Sequence, residues 1–131
     1  MIIEARNLSK KVIFNDQEII ILDDISLNLQ AASSLAVVGP SGSGKSTLLG
    51  ILAGLDSPTS GEIFINQKPL HLLSEEERAA IRKESVAFVF QNFELLSGLN
   101  ALENVMLPLE LKNKKDAKNI AINYLEKVGM Q

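Results

Sequence analysis

The stretch VVGPSGSGKSTLLGILAGL, Val37 to Leu55, constrains this chain more than any other. It sets glycines around a lysine and a serine, then turns abruptly apolar with leucines at helical spacing. Gly39, Gly44, Lys45 and Ser46 fill the pattern G-x-x-x-x-G-K-[ST], in which a glycine-rich loop cradles phosphate groups. Glycine lets the backbone turn with positive φ and brings N–H groups within reach of phosphate oxygens, because no Cβ stands in the way. Gly39, Pro40, Ser41, Gly42, Ser43, Gly44, Lys45, Ser46 and Thr47 therefore form the candidate phosphate site. Lys45 adds a point charge for the β- and γ-phosphates, and the Ser46 hydroxyl is placed to ligate Mg²⁺.

The flanks of the loop agree with this reading. SLAVVG, Ser34 to Gly39, is a short apolar, β-branched run that reads as a strand, and STLLGILAGL reads as a helix. The N-terminus of such a helix carries roughly half a positive charge and points at the anion. A dinucleotide-binding G-x-G-x-x-G loop does not fit, because after Gly42 and Gly44 its third glycine position holds Thr47. The expected ligand is a nucleoside triphosphate, ATP in the first instance, with Mg²⁺.

At 131 residues the chain has the length of one domain. A net charge of -3 and a pI near 5.2 give no general attraction to nucleic acid or anionic lipid, so no nucleic-acid partner is expected. No apolar run approaches the ~18 residues of a membrane span, and MIIEARNLSKK lacks a signal-peptide apolar region. Direct membrane insertion is not expected. The absence of cysteine excludes disulfides and thiolate metal sites and fits a cytoplasmic protein.

MIIEARNL and EIIILDDISLNL read as strands separated by the turn FNDQ, the second with Ile21, Asp23, Ile25, Leu27 and Leu29 on one face. After the loop helix, DSPTSG turns into the strand EIFINQ, with Ile63 and Ile65 on one face. Ser74 and Glu77 form a capping-box signature for a helix over EEERAAIRKE, and VAFVF, Val86 to Phe90, reads as an apolar strand ending at Gln91. Asn100 and Glu103 can cap a helix over ALENVMLPLEL, which Pro108 should kink or end. A final amphipathic helix places Ala117, Ile120, Ala121, Tyr124, Leu125 and Val128 at helical spacing, with Gly129 as its stop. That stripe is read chiefly as a core face and otherwise as a partner-binding one. KNKK reads as a solvated loop, and His71, the only histidine, as a surface loop residue. The alternation implies an α/β core with extra antiparallel strands at the front.

Several P-loop classes share GPSGSGKST, and the flanks narrow the choice. LDDISLNL before the loop, LLGILAGLDSPTSGEIFINQ after it, and VAFVFQNFELLSGLNALENVMLPLEL together resemble the nucleotide-binding subunit of ATP-binding cassette (ABC) transporters. The spacing and LNALENV look most like the exporter branch that includes lipoprotein-releasing and macrolide-export ATPases. The resemblance runs from about Ile2 to Gly129. It implies a P-loop NTPase core with an N-terminal antiparallel β subdomain over residues 1–91 and the start of a helical subdomain over 92–131. By that resemblance Gln91 is the Q-loop glutamine, a catalytic group with Lys45 that senses Mg²⁺ and the attacking water. Gln91 to Leu99 would then receive a membrane-spanning partner subunit. A second nucleotide-binding domain would complete a dimer on the cytoplasmic face of the cell membrane.

The chain departs from the family pattern at several points. The aromatic that stacks on adenine aligns with Val12, with Phe14 two residues away, so stacking is either absent or supplied by Phe14. Ala32 and Ser33 stand where Gly-Glu is usual. No LSGGQ signature, Walker B Asp-Glu or switch histidine follows; LLSGLN lies too soon after Gln91, and His71 precedes it. The expectation is the N-terminal half of a nucleotide-binding domain, ending before the signature, that binds ATP without hydrolysing it alone. A regulatory module that holds nucleotide and a soluble P-loop phosphotransferase are the competing readings, the Gln91 context speaking against the second.

Overall fold

The computed structural model describes residues 2–130. Met1 of the expected first strand and Gln131 of the expected second domain lie outside the described residues. The chain divides into two compact units, which meet in sequence between Ala87 and Phe88.

The first unit begins with a long hairpin, β1 (Ile3–Phe14) and β2 (Gln17–Leu29). Asn15 and Asp16 turn it with φ of 50° and 59°, the two positive angles of a type I′ turn, whose twist matches that of the strands. β3 (Ser60–Ile65) pairs with the other edge of β1, and β4 (Lys68–Pro69) follows through a second such turn at Asn66 and Gln67. The sheet is antiparallel throughout, in the order β2-β1-β3-β4.

Strand β2 departs from its expected face. The register steps from Leu8↔Ile25 to Lys10↔Leu22, so an extra residue on β2 is bulged out near Asp24, whose φ is 52°. A bulge reverses the alternation beyond it. Leu22 is therefore the buried residue, while Ile21, expected on the core face with Ile25 and Leu27, is only half-buried. Asn7 bulges opposite and ties the defect with side chains: Asn7 N–H donates to Ser26 Oγ at 2.8 Å, and Asn7 Nδ2 to Asp24 Oδ1 at 2.7 Å. Gly61 is required beside it, since a Cβ there would lie 2.3 Å from the Asn7 carbonyl oxygen and its φ is 93°.

Helix α1 (Lys45–Leu52) buries Leu48, Ile51 and Leu52, the i, i+3, i+4 face of the sequence pattern. They join Ala5, Leu8, Leu22, Ile63, Ile65 and Leu70 in one core, each large aliphatic contributing about 1.5–3 kcal/mol on burial. A 3₁₀ turn at Leu70–Leu72 holds His71 half-buried against β3, not free in a surface loop as expected. Its Nδ1 lies 3.2 Å from the Ile63 N–H, and its ring meets Phe64 edge-on at 5.3 Å. Helix α2 (Glu75–Ser85) starts on the expected capping box, with Ser74 and Glu77 bonded in both directions.

Two expected strands are not strands among the described residues. Residues 34–39 and 86–90 join no ladder. A strand exists only where a neighbour supplies donors and acceptors, and no described strand flanks either segment. Val37 and Val86 rest against the core, but Val38 is 87% and Val89 96% exposed.

The second unit pairs α3 (Ala101–Leu111) with α4 (Ala117–Lys127). Asn100 and Glu103 form the expected capping box. Pro108 does not end α3, which runs on to Leu111; it costs the helix one N–H donor without stopping it. In α4 only Ala117 and Ala121 of the apolar stripe are fully buried, and Tyr124 and Val128 are exposed. Gly129, at φ 78°, ends it in a Schellman motif: its N–H donates to the Glu126 carbonyl and that of Met130 to the Leu125 carbonyl.

Candidate functional site

The loop 39–44 turns on two residues with positive φ, Gly42 at 78° and Gly44 at 87°. At Gly42 a Cβ would meet nothing, so glycine is there for its backbone angle. Gly44 needs both properties. It is the N-cap of α1, and a Cβ would stand 2.7 Å from the Ile21 carbonyl oxygen of β2. At Gly39 an added Cβ would crowd Ser43 Oγ at 2.8 Å.

Helix α1 has neither a side-chain cap nor an acidic residue in its first turn. Its leading N–H groups are therefore unspent donors at the positive end of the helix dipole, the arrangement that receives an anion. Lys45 Nζ lies over the loop, donating to the carbonyls of Gly39 at 2.8 Å and Pro40 at 2.7 Å, with Ser43 Oγ at 3.4 Å. One cation and the uncapped N–H groups that open α1 thus lie together at the loop. The donors, the glycine turns and the charge fit a phosphate chain.

The fit to Mg²⁺ is narrower. Ser46 places an exposed hydroxyl one residue into α1, and no group of three or more acidic, His or Cys side chains among the described residues could hold a metal unaided. Mg²⁺ commonly binds with one or two protein oxygens and completes its shell with phosphate and water, so Ser46 suits an ion that arrives with nucleotide.

Of the remaining expected site residues, Val12 is half-buried on β1 opposite Ile19. Phe14, on the same side of the strand, is 64% exposed at the hairpin tip. Ile19 stands two residues along β2 from Ile21, where Gly44 abuts the sheet. Gln91 belongs to the second unit, in an exposed turn with Asn92 that is followed by Phe93 and Glu94 in left-handed conformation, φ 64° and 51°.

Two groups escaped the sequence reading. Asn104 Oδ1 accepts from the Leu96 N–H at 2.9 Å, and its Nδ2 donates to the carbonyls of Leu99 at 3.1 Å and Asn100 at 3.0 Å, fixing the loop ahead of α3. A lone amide on an apolar helix face was the available signal. At the far end of α1, Arg82 donates to the Gly54 carbonyl and to Glu75. The spacing of Glu75, Arg78 and Arg82 along α2 could have shown their pairing, but not its target.

A family model described as ABC transporter matches residues 12–131. The chain belongs to this family. It is 47% identical over 131 residues to the uncharacterized ABC transporter ATP-binding protein YbbA of Escherichia coli K12, covering 98% of this chain and 58% of that protein. Against the lipoprotein-releasing system ATP-binding protein LolD of Colwellia psychrerythraea the identity is 41%, over 98% of this chain and 51% of that one. The backbone superposes with a TM-score of 0.87 on the ATP-binding cassette MJ0796, solved as a dimer in a post-hydrolysis state bound to ADP and Pi, at 35% identity. That match covers 95% of this chain and 56% of the other. The fold is thus the α/β P-loop ATPase fold with its N-terminal antiparallel sheet, and the chain spans little more than half the length of these relatives.

Proposed function

We propose that the chain is the ATP·Mg²⁺-binding portion of an ABC transporter ATPase, coupling ATP binding and hydrolysis to export through a membrane-spanning partner. The observation that carries this is the preformed nest: glycine turns at Gly42 and Gly44, an uncapped α1 N-terminus, and Lys45 poised over the loop. The backbone N–H groups and Lys45 bind and orient the β- and γ-phosphates of ATP. Lys45 exchanges two carbonyl partners for phosphate oxygens, so its charge is already in place before binding. Ser46 holds the Mg²⁺ that supplies charge neutralisation on the phosphates. Val12 and Ile19 offer the base an aliphatic ledge, and Phe14 the aromatic ring nearest to it on that strand face.

Gln91 acts on metal and water, and the exposed apolar residues Phe93, Leu95 and Leu96 after it receive the membrane partner. Two of the relatives, an ATP-binding protein of a lipoprotein-releasing system and a cassette solved as a dimer, support export and a second nucleotide-binding domain. Family membership is what supports a peripheral place on the cytoplasmic face; separately, no helix among the described residues is long and apolar enough to cross a membrane. Taken alone, these 131 residues hold ATP without turnover, because they contain neither the LSGGQ signature nor the Walker B Asp-Glu that the family pattern uses. Titration of ATP·Mg²⁺ into the chain and into Lys45→Ala tests the reading. The variant should stay folded and bind at least tenfold more weakly, about 1.4 kcal/mol; equal affinity removes the proposal.

A further inference from the structure

A polar cluster at the end of α1 opposite the nest has no part in the function proposed above. Helix α1 is 8 residues long, so its C-terminus lies only about 12 Å from Lys45. Gly54, at φ 73°, closes the helix: its N–H donates to the Ile51 carbonyl at 3.0 Å and that of Leu55 to the Gly50 carbonyl at 2.8 Å. The Gly54 carbonyl then accepts Arg82 Nη1 at 2.5 Å. A Cβ on Gly54 would come within 3.8 Å of Arg82 Cγ, so the arginine stem lies over the glycine.

Glu75, the first residue of α2, holds the guanidinium in place. Its Oε1 accepts from Arg82 Nη2 at 2.6 Å and its Oε2 from Arg78 Nη2 at 2.7 Å, while Arg78 Nη1 donates to Ser57 Oγ. Lys10 of β1 reaches the same turn, donating to Asp56 Oδ1 at 2.9 Å and to the Ser57 carbonyl at 2.7 Å. Lys10, Arg78 and Arg82 against Asp56 and Glu75 leave one positive charge in excess at the negative end of the α1 dipole. The side chains of Arg78 and Arg82 are only 17% and 22% exposed, which limits screening of that charge.

We infer that Arg82 is a positioning residue for the phosphate nest. The apolar contacts of Leu48, Ile51 and Leu52 choose the face α1 presents to the sheet, but apolar contact is non-directional and leaves the helix free to slide along its axis. Directional anchors stop that slide. One is the close approach of Gly44 to the Ile21 carbonyl, and the other is the charge-assisted bond from Arg82 to Gly54. A helix this short moves as a rigid rod, and the turn at Gly54 is tied to it through the Gly54 N–H on the Ile51 carbonyl and the Leu55 N–H on the Gly50 carbonyl, so anchoring that turn anchors the first N–H groups of α1. The inference rests on the reading of residues 39–47 as a triphosphate site.

The test measures the affinity of the 131-residue chain for ATP·Mg²⁺ and for tripolyphosphate, which engages the nest without a base, in wild type, Arg82→Ala, Arg82→Lys and Lys45→Ala. Arg82→Ala should weaken both ligands about three- to tenfold. Arg82→Lys restores a cation to the Gly54 carbonyl, though it cannot also bridge Glu75, and should recover to within about twofold. A merely structural arginine would lower the melting temperature of both variants and leave the affinity of the folded protein alone. If Lys45→Ala weakens binding and Arg82→Ala does not, the inference is overturned while the nest stands. If Lys45→Ala changes nothing, the nest reading itself falls. Should Arg82→Ala fail to fold, Glu75→Gln is read instead. It loosens the guanidinium without touching α1 and should weaken tripolyphosphate about twofold; unchanged affinity there overturns the inference.

Discussion

The antiparallel sheet and the segments 34–39 and 86–90 are similarly apolar and have opposite fates. The strands draw chiefly on Ile, Leu and Val, and the two segments on Val and Phe with Leu35. Strands β1 to β4 satisfy one another through hairpin turns and near neighbours, and their inward residues Ala5, Leu8, Ile63 and Ile65 are almost wholly buried. The two segments join no ladder, with Val38 and Val89 turned to solvent. A hairpin brings its own partner within a two-residue turn. A parallel strand must wait for a crossover and for neighbours that arrive from far along the chain. Apolar β-branched character therefore states that a segment can be a strand, and topology decides whether it is one.

Truncation in the core should separate the regions most. Leu8→Ala removes a fully buried side chain and should cost about 2–5 kcal/mol, whereas Val89→Ala should stay within about 0.5 kcal/mol, both read from urea unfolding of the chain. Equal costs would mean that the segment at 86–90 is packed after all. Next comes Gly61→Ala, which places a Cβ against the Asn7 carbonyl at a φ that L-residues avoid. It should lose roughly 1–3 kcal/mol, and Asn7→Gly, which frees the bulge, should not rescue the clash with backbone.

The second unit offers a smaller contrast. Asn100→Ala removes the cap of α3 and should cost about 1 kcal/mol of local stability, visible as faster amide exchange in α3 with no change at Ile63 or Ile65. Exchange that quickened equally in both units would show that they unfold as one.

The smallest effect is acid dependence. The bond from Arg82 holds the Glu75 carboxyl below its ordinary range, and the Ser74 N–H does the same for Glu77. A carboxylate depressed in the folded state contributes stability above its unfolded pKa, and that contribution is lost as pH falls through the folded value. Stability should be flat from pH 7 to about 5 and decline below about 4.3. Glu75→Gln with Glu77→Gln should flatten the decline, and a gain on acidification would contradict the assigned pairs.

The nest was legible because its pattern is local. Gly39, Gly44, Lys45 and Ser46 lie close together in the chain, and helix N-termini, glycine turns and capping boxes are read within a few residues. The bulge that swaps Leu22 for Ile21 was not legible, since it depends on Asn7, Asp24 and Gly61 meeting across three strands. Nor was the bond from Arg82 to Gly54, which joins positions 28 residues apart. His71 looked like a loop residue because nothing in its neighbourhood of the sequence names Ile63 as its partner. Pro108 reads as a kink or an end because its lost N–H is plain in the sequence, whereas the continuation of α3 to Leu111 is not.

Amide hydrogen exchange over residues 30–56, with and without ATP·Mg²⁺, tests the central claim most directly. Leu48 to Leu52 should exchange slowly in both states, since their N–H groups are spent inside α1 and their side chains sit in the core. The amides of Gly42, Gly44, Lys45 and Ser46 should be fast in the free chain and strongly protected with nucleotide; Ser43, whose N–H already donates to the Pro40 carbonyl, should change less, and Leu35 and Val38 should stay fast throughout. Protection of Gly42, Gly44, Lys45 and Ser46 that is the same with and without ATP would contradict a phosphate nest built from these N–H groups.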